Sequence, residues 1–218
     1  MFRFFALGAS FFVFILYLCG ELTDRGMTQQ EIAADIRQAV EVMERGGIIL
    51  YPTDTVWGIG CDARNEAAVR RIYGLKRRDD SKALICLVDS ADRMQRYSRS
   101  IPDVAWNLID YAEKPLTLIV DDAINLAPNL IAADGSVAMR VTRERISREL
   151  CYRFQRAVVS TSANLSGEPA PRNFMEIGPE IIGGVDYVMK ARQNDVTKGR
   201  PSQIVKLTKD GQITFVRK

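Results

Sequence analysis

A single α/β domain built on a twisted, mixed β-sheet is predicted for this 218-residue chain, and three observations carry the prediction. Short apolar runs of strand length alternate with amphipathic segments of helical period, the pattern that α/β crossovers leave in a sequence. Near the C-terminus two strand-like runs, Gln203 to Leu207 and Ile213 to Val216, flank Lys209-Asp210-Gly211-Gln212 and read as a hairpin, so the sheet is not purely parallel. The length suits one domain with a substantial core, and no internal repeat, linker or low-complexity block divides it.

Phe4 to Cys19 is almost wholly apolar behind Arg3, which suits a signal peptide or short membrane anchor. The run falls short of the roughly 20 residues a spanning helix wants. Leu18-Cys19 lacks the small residue that precedes a lipoprotein cysteine. A third reading, which we favour, sets residues 1–26 aside as an extension produced by a mis-assigned start, with Met27 as the native one. A membrane tether follows only if residues 1–26 are made; otherwise the protein is expected in the cytoplasm, with no stable membrane association of residues 27–218.

Met27 stands directly before Thr28-Gln29-Gln30-Glu31, a capping-box pattern. It opens a helix with Ile32, Ile36, Val40 and Met43 inward, stopped at Gly46-Gly47. A buried strand, Ile48 to Tyr51, breaks off at Pro52-Thr53-Asp54-Thr55, and Val56-Trp57-Gly58-Ile59-Gly60 reads as a turn. Asn65 caps the next helix, whose apolar face carries Ala68, Val69, Ile72 and Tyr73 and whose end is Lys76-Arg77-Arg78. Strand Ala83 to Val88, a short helix capped by Ser90, a helix from Pro102 to Tyr111 and strand Pro115 to Val120 follow. Beyond a loop with Pro128 and Asp134-Gly135 come strand Ser136 to Val141, helix Arg145 to Phe154 and strand Ala157 to Ser160. That strand runs into Thr161-Ser162-Ala163-Asn164-Leu165-Ser166-Gly167. Helix Asn173 to Ile182, strand Tyr187 to Met189 and the hairpin complete the chain.

Composition removes several chemistries. With no histidine, Ser-His triads, His-ligated metals and imidazole acid–base catalysis are excluded together. Cys19, Cys61, Cys86 and Cys151 form no C-x-x-C pair, which argues for buried thiols in a reducing compartment rather than zinc or disulfides. A net charge of +3 does not mark a dedicated nucleic-acid binder, although Arg70, Arg71, Lys76, Arg77 and Arg78 make a local basic face. For Arg70 and Arg71 a solvated helix face is the simpler reading.

Chemistry must therefore run on Lys, Arg, hydroxyls, amides, carboxylates and a metal brought by a substrate. Lys76, Arg78 and Lys82 suit a polyphosphate, or equally the C-terminal end of a helix dipole. Ser162 and Asn164, at a strand C-terminal end, suit phosphate oxygens or a metal-bound water, or a plain Ser/Asn turn. Thr53 and Thr55 suit a small polar substrate walled by Trp57, or their own backbone. Arg140, in an otherwise apolar strand, needs a partner, and a ligand carboxylate or an internal Asp would both serve. Gly58-x-Gly60 lacks a dinucleotide fingerprint, and no Walker A sequence is present.

Tyr51-Pro-Thr-Asp-Thr-Val-Trp-Gly-Ile-Gly60, Lys76-x-Arg78, Ser162-x-Asn164 before Leu-Ser-Gly, and a terminal Pro-Ser…Val-Arg together resemble the YrdC/TsaC-type threonylcarbamoyl-AMP synthases from about Glu31 to Arg217. The resemblance implies a YrdC-like α/β domain with helices on both faces of its sheet and a concave basic site. It implies a nucleotidyltransferase that condenses L-threonine, bicarbonate and ATP to L-threonylcarbamoyladenylate and pyrophosphate, with Mg2+ carried by ATP and no metal site of its own. The product would pass to the transferase complex that modifies tRNA adenosine. By position, Thr55, Arg140, Ser162 and Ser202 fall in the threonine site, with Thr53 beside them. Arg78, Lys82, Ser136, Asn164, Arg172 and Arg217 fall in the nucleotide site, with Lys76. Lys76, Arg78, Ser162 and Asn164 would carry catalysis. The chain departs from the family in Lys76-Arg-Arg-Asp79, in Lys82 where Asn is frequent, in Val141-Thr142-Arg143, and in Leu87, where some members place a threonine-contacting histidine. Two rivals stand beside this reading: a YrdC-like module that grips RNA through its basic concavity without catalysis, and a paralogue using another carbamoyl acceptor, as the Leu87 departure allows.

Overall fold

The computed structural model describes residues 26–77 and 84–217. Helix α1 (Gln29–Glu44) opens on the expected reciprocal box: the Glu31 amide donates to Thr28 Oγ1 at 3.2 Å, and the Thr28 amide donates to the Glu31 carboxylate at 2.7 Å. Helix α2 (Glu66–Lys76) starts where Asn65 Oδ1 accepts from the Ala68 amide at 3.0 Å. The other helices are α3 (Ala91–Met94, capped by Ser90), α4 (Val104–Tyr111), α5 (Arg145–Phe154) and α6 (Pro179–Gly184). The helix predicted from Asn173 to Ile182 is thus a 3-10 turn at Phe174–Glu176 followed by α6. Pro179 disfavours helical backbone at Gly178 before it and restarts the helix at its own fixed φ.

The strands are β1 (Ile49–Tyr51), β2 (Gly58–Gly60), β3 (Ile85–Val88), β4 (Ser98–Ser100) and β5 (Leu116–Ala123). They continue with β6 (Val137–Val141), β7 (Val158–Ser162), β8 (Tyr187–Val188), β9 (Gln203–Leu207) and β10 (Ile213–Arg217). The order is β10-β9-β5-β6-β3-β7-β2-β1-β8, with β4 on β5. β1–β8, β3–β6 and β5–β9 are parallel and the other pairs antiparallel, so the sheet is mixed as expected. The Gly58-Ile-Gly60 segment, read from sequence as a turn, is an interior strand between β1 and β7. Its glycines are required by close packing: a Cβ on Gly60 would lie 2.5 Å from the Val159 carbonyl oxygen and 2.7 Å from the Tyr51 ring. Tyr51 is wholly buried and donates its hydroxyl to that same carbonyl at 3.1 Å.

The two faces of the sheet are treated differently. One is sealed along its length: Cys86, Val88, Leu118, Val120, Met139, Val159 and Val205 pack against Val69 and Ile72 of α2, Met94 of α3 and Ala105 and Ile109 of α4. On the other, α1 and α5 cover part of the surface, burying Ile49, Tyr51, Leu87 and Val158 beneath Ile36, Met43, Leu150 and Phe154. The remainder of that face is open and forms a cavity. Among the described residues no helix is long and apolar enough to cross a membrane; the apolar Phe4 to Cys19 run, like Cys19 itself, lies outside them. Cys61, Cys86 and Cys151 are buried free thiols, and burial pushes the Cys86 thiol up to about 12.

Candidate active site

The cavity floor is one row of the sheet. Ile85 stands opposite Ala138 and Ser160, and Ile119 opposite Ala138, and all four line a pocket of about 300 Å³. The same pocket gathers Thr55, Arg140, Ser162, Ser202 and Arg217, which the sequence scatters over more than 160 positions. It shares Thr55, Val56, Trp57, Pro201 and Arg217 with a neighbouring cavity of about 820 Å³ that also takes in Thr53, Asp54, Lys114, Arg172, Lys198 and Arg200. Lys76, Ser136 and Asn164 line neither cavity. Arg78 and Lys82 lie outside the described residues.

Hydroxyl hydrogen bonds around Thr53 and Thr55 run in one direction. The Thr53 hydroxyl donates to the Val56 carbonyl at 2.7 Å, so across its 3.0 Å contact with Thr55 Oγ1 it must accept. It also accepts the Thr55 amide at 3.1 Å. Thr55 thereby spends its own proton on Thr53 and is left as an acceptor, taking Arg140 Nη2 at 3.3 Å. The two threonines organise their own turn, as one sequence reading expected, and Thr55 still presents a lone-pair-bearing oxygen to the cavity.

Arg140 is only 3% exposed, and the internal Asp that sequence offered as its partner is Asp54, 3.1 Å from Nη2. The pair is close but poorly aligned. Asp54 Oδ1 and Arg140 Nε are both buried with no hydrogen-bond partner among the described residues. Burial holds the Asp54 carboxyl above its ordinary range, with Arg140 pulling the other way.

Lys76 is buried, and its ammonium donates to the main-chain carbonyls of Ser162 and of Asn164, the latter at 2.7 Å. Its own carbonyl accepts from the Ser166 amide at 2.8 Å. The lysine is thus a strut beneath the Ser162–Gly167 loop. Asn164 donates Nδ2 to the Leu165 and Glu168 carbonyls at 2.9 and 2.7 Å and leaves Oδ1 unpartnered among the described residues. An amide held this way offers an acceptor, which suits a ribose hydroxyl or a metal-bound water and not a bare phosphate oxygen.

The opposite wall is C-terminal. Ser202 Oγ meets Thr117 Oγ1 at 2.8 Å and accepts from Arg217 Nη2 at 3.3 Å, while Arg217 Nε donates to the Ser202 carbonyl at 2.9 Å. Burial, then the charge of Arg140, lowers the Arg217 guanidinium from its usual range. Gly199 lies against the Thr55 main chain and donates its amide to the Arg172 carbonyl at 2.9 Å. Arg172 is half-exposed and forks onto Glu176 at 2.8 Å. Sequence reasoning passed over Arg192, which donates to the Thr53 carbonyl at 3.1 Å and pairs with Asp195 at 2.8 Å. It lies in a turn with no motif around it, so the local sequence carried no signal.

Ser136 is buried away from both cavities, donating Oγ at 2.6 Å to Asp134, which Lys206 meets at 2.8 Å. The Lys206 hydrogen bond, then those from Ser136, holds the Asp134 carboxyl well below the usual carboxylate range. A folded-state value below the unfolded one, about 4, gives stability that is fully present above the unfolded value and lost progressively as pH falls from there through the lower folded one. Asp134→Asn is therefore expected to flatten the acid limb of a melting-temperature profile between about pH 5 and pH 2. Thermal melts across that range check it.

Comparisons with known proteins bear on the fold and the family. The sequence model of the Sua5/yciO/yrdC family, described by the words "Telomere recombination", matches residues 41–218. The threonylcarbamoyl-AMP synthase of Idiomarina loihiensis is 34% identical over 159 residues, covering 72% of this chain and 86% of that protein. The crystal structure of E. coli YciO superposes with a TM-score of 0.75 at 25% identity, covering 88% of this chain and 90% of that one. P. abyssi Sua5, solved in complex with L-threonine, superposes with a TM-score of 0.70 at 26% identity; 79% of this chain is covered, and the chain spans about half the length of that Sua5, 50%. With a matching family model over most of its length and a relative of this identity and coverage, the chain belongs to the Sua5/YciO/YrdC family.

Proposed function

We propose that this chain is a threonylcarbamoyl-AMP synthase, condensing L-threonine, bicarbonate and the Mg2+ complex of ATP to L-threonylcarbamoyladenylate and pyrophosphate. The observation that carries the reading is the convergence of Thr55, Arg140, Ser162, Ser202 and Arg217 on one cavity. It is supported by relatives bearing that name and by a family member crystallised with L-threonine.

The chemistry asks little of the protein beyond position and charge. The amine of threonine joins bicarbonate to give a carbamate and water. A carbamate oxygen then attacks the α-phosphorus, and the bond to the β-phosphate breaks as pyrophosphate leaves. Arg140 holds the amino-acid carboxylate, and the Thr55 oxygen, which can only accept, takes a proton donor of the same substrate. Arg217 supplies positive charge where the two cavities meet and Arg172 in the larger one. By resemblance Arg78 and Lys82 would meet the phosphates, and the Ser162–Asn164 loop offers Asn164 Oδ1 to a ribose hydroxyl or a metal-bound water. Lys76 acts by fixing that loop. Leu87, buried beneath α1 and α5, contributes nothing to the cavity wall, so discrimination between amino acids falls to Thr55, Ser162 and Ser202. The adenylate is a reactive mixed anhydride, which a tRNA-modifying transferase complex would consume in the cytoplasm, where ATP is supplied.

Pyrophosphate release by the purified chain with ATP, Mg2+ and bicarbonate tests the reading. L-Threonine is expected to support release well above L-serine or no amino acid, and Ser162→Ala to reduce it by at least about ten-fold. A folded, ATP-binding protein with no amino-acid-dependent release would overturn the assignment and favour an RNA-binding role.

A further inference from the structure

Asp54 and Arg140 are a buried ion pair that does not fit together well. Their nearest atoms, Oδ1 and Nη2, are 3.1 Å apart, yet that Oδ1 accepts no hydrogen bond and Arg140 Nε donates none among the described residues. Unmade hydrogen bonds on buried charged groups are costly, and proteins rarely keep two of them side by side. Arg140 borders the smaller cavity, Asp54 the larger, and Thr55 borders both. The neighbouring charges are already committed elsewhere: Arg192 to Asp195 at 2.8 Å, and Glu144 to the amides opening α5 at 3.0 and 2.7 Å.

We infer that Asp54 is the specificity residue for the α-ammonium group, and that the substrate enters as a zwitterion by inserting between Asp54 and Arg140. In the empty site Asp54 neutralises Arg140. On binding, the ligand carboxylate takes the guanidinium, including its idle Nε, and the ligand ammonium takes the carboxylate that has been displaced. One internal ion pair becomes two intermolecular ones, and the buried net charge stays the same throughout. A ligand with the carboxylate alone adds an uncompensated negative charge beside Asp54; one with the ammonium alone adds a positive charge beside Arg140. The site therefore admits α-amino acids and rejects their singly charged analogues, whatever their side chain. The inference rests on the reading of this cavity as an amino-acid site. It adds a residue, Asp54, whose part is recognition of charge, and it needs no chemical turnover.

Calorimetric binding without ATP tests it on the full chain. The ligands are L-threonine, its α-hydroxy analogue 2,3-dihydroxybutanoate, and L-threoninamide. For the unmodified protein both analogues should bind about 10- to 100-fold more weakly than threonine, the loss expected for one charge-assisted contact. In Asp54→Asn the threonine affinity should fall, the hydroxy acid should gain, and the two should come within about three-fold of each other. Circular dichroism reports whether the variant folds. Should it fail to fold, the comparison on the unmodified protein still decides: a hydroxy acid that binds as well as threonine overturns the inference. So does a folded Asp54→Asn protein with undiminished selectivity. Selective binding without pyrophosphate release would leave the inference standing and remove the synthase reading, whereas threonine-dependent release by Asp54→Asn at unchanged KM would do the reverse.

Discussion

Lys76→Met is expected to lower the free energy of unfolding by about 3 kcal/mol and pyrophosphate release by at least about a hundred-fold. The ammonium is buried and donates to the Ser162 and Asn164 carbonyls. Methionine keeps most of the volume and removes the donors, leaving two main-chain oxygens without that partner. The loop they belong to carries both Ser162 and Asn164, so a displacement near 1 Å misplaces two candidate site groups together. Urea unfolding gives the first quantity, and amide exchange at Ser166, which donates to the Lys76 carbonyl at 2.8 Å, gives the second cause directly. If Lys76 served solely as a charge for phosphate, the variant would stay as stable as its parent and lose ATP affinity alone.

Gly199→Ala is expected to damage both halves of the site through a residue that has no side chain of its own. An added Cβ would lie 1.9 Å from the Thr55 carbonyl oxygen and 3.0 Å from its carbon, both main-chain atoms, so the 198–202 segment must move away. That breaks the Gly199–Arg172 hydrogen bond and carries Ser202 away from Thr117 and Arg217. A stability loss of about 1–3 kcal/mol is expected, with weaker binding of both ATP and threonine. Gly74→Ala is the control: its Cβ meets nothing within 4 Å on the exposed face of α2, and it should gain up to about 1 kcal/mol. Equal behaviour of the two variants would show that the packing of Gly199 on Thr55 has no energetic weight.

Those two positions also mark what the sequence discloses and what it withholds. Local chemistry is legible: the Thr28–Glu31 box, the Asn65 cap and the C-terminal hairpin all depend on neighbours within a few residues, and all form as expected. The Gly58–Gly60 strand was hidden because a strand this short, with glycine at both ends, owes its conformation to flanking strands and to the Tyr51 ring pressed against it. Strand β4 was hidden for a similar reason, its Ser-Arg-Ser sequence having no alternation to reveal it. At the site, Arg140 announced itself as a charge in an apolar strand, and its need for a partner was readable. That the partner is Asp54, poorly aligned, depends on a contact 86 residues apart in sequence, which no local pattern encodes. Lys76 was conspicuous as a cation at a helix end; that it points at carbonyls is a fact of tertiary packing.

The partial covering of one sheet face by α1 and α5 has an electrostatic consequence. The row Ile85–Ala138–Ser160 floors the cavity, while the adjoining row, about 7 Å along the strands, sets Leu87 and Val158 beneath the helices and Arg140 at the cavity's edge. Between them the medium changes from hydrocarbon to water without an intervening layer, and Arg140 stands on that step. A charge at such a boundary has its field turned out of the poorly polarisable side and into the open one. The packed apolar core thereby acts as a reflector behind the guanidinium, and the side chains that stabilise the fold also extend the reach of its positive potential toward an arriving anion.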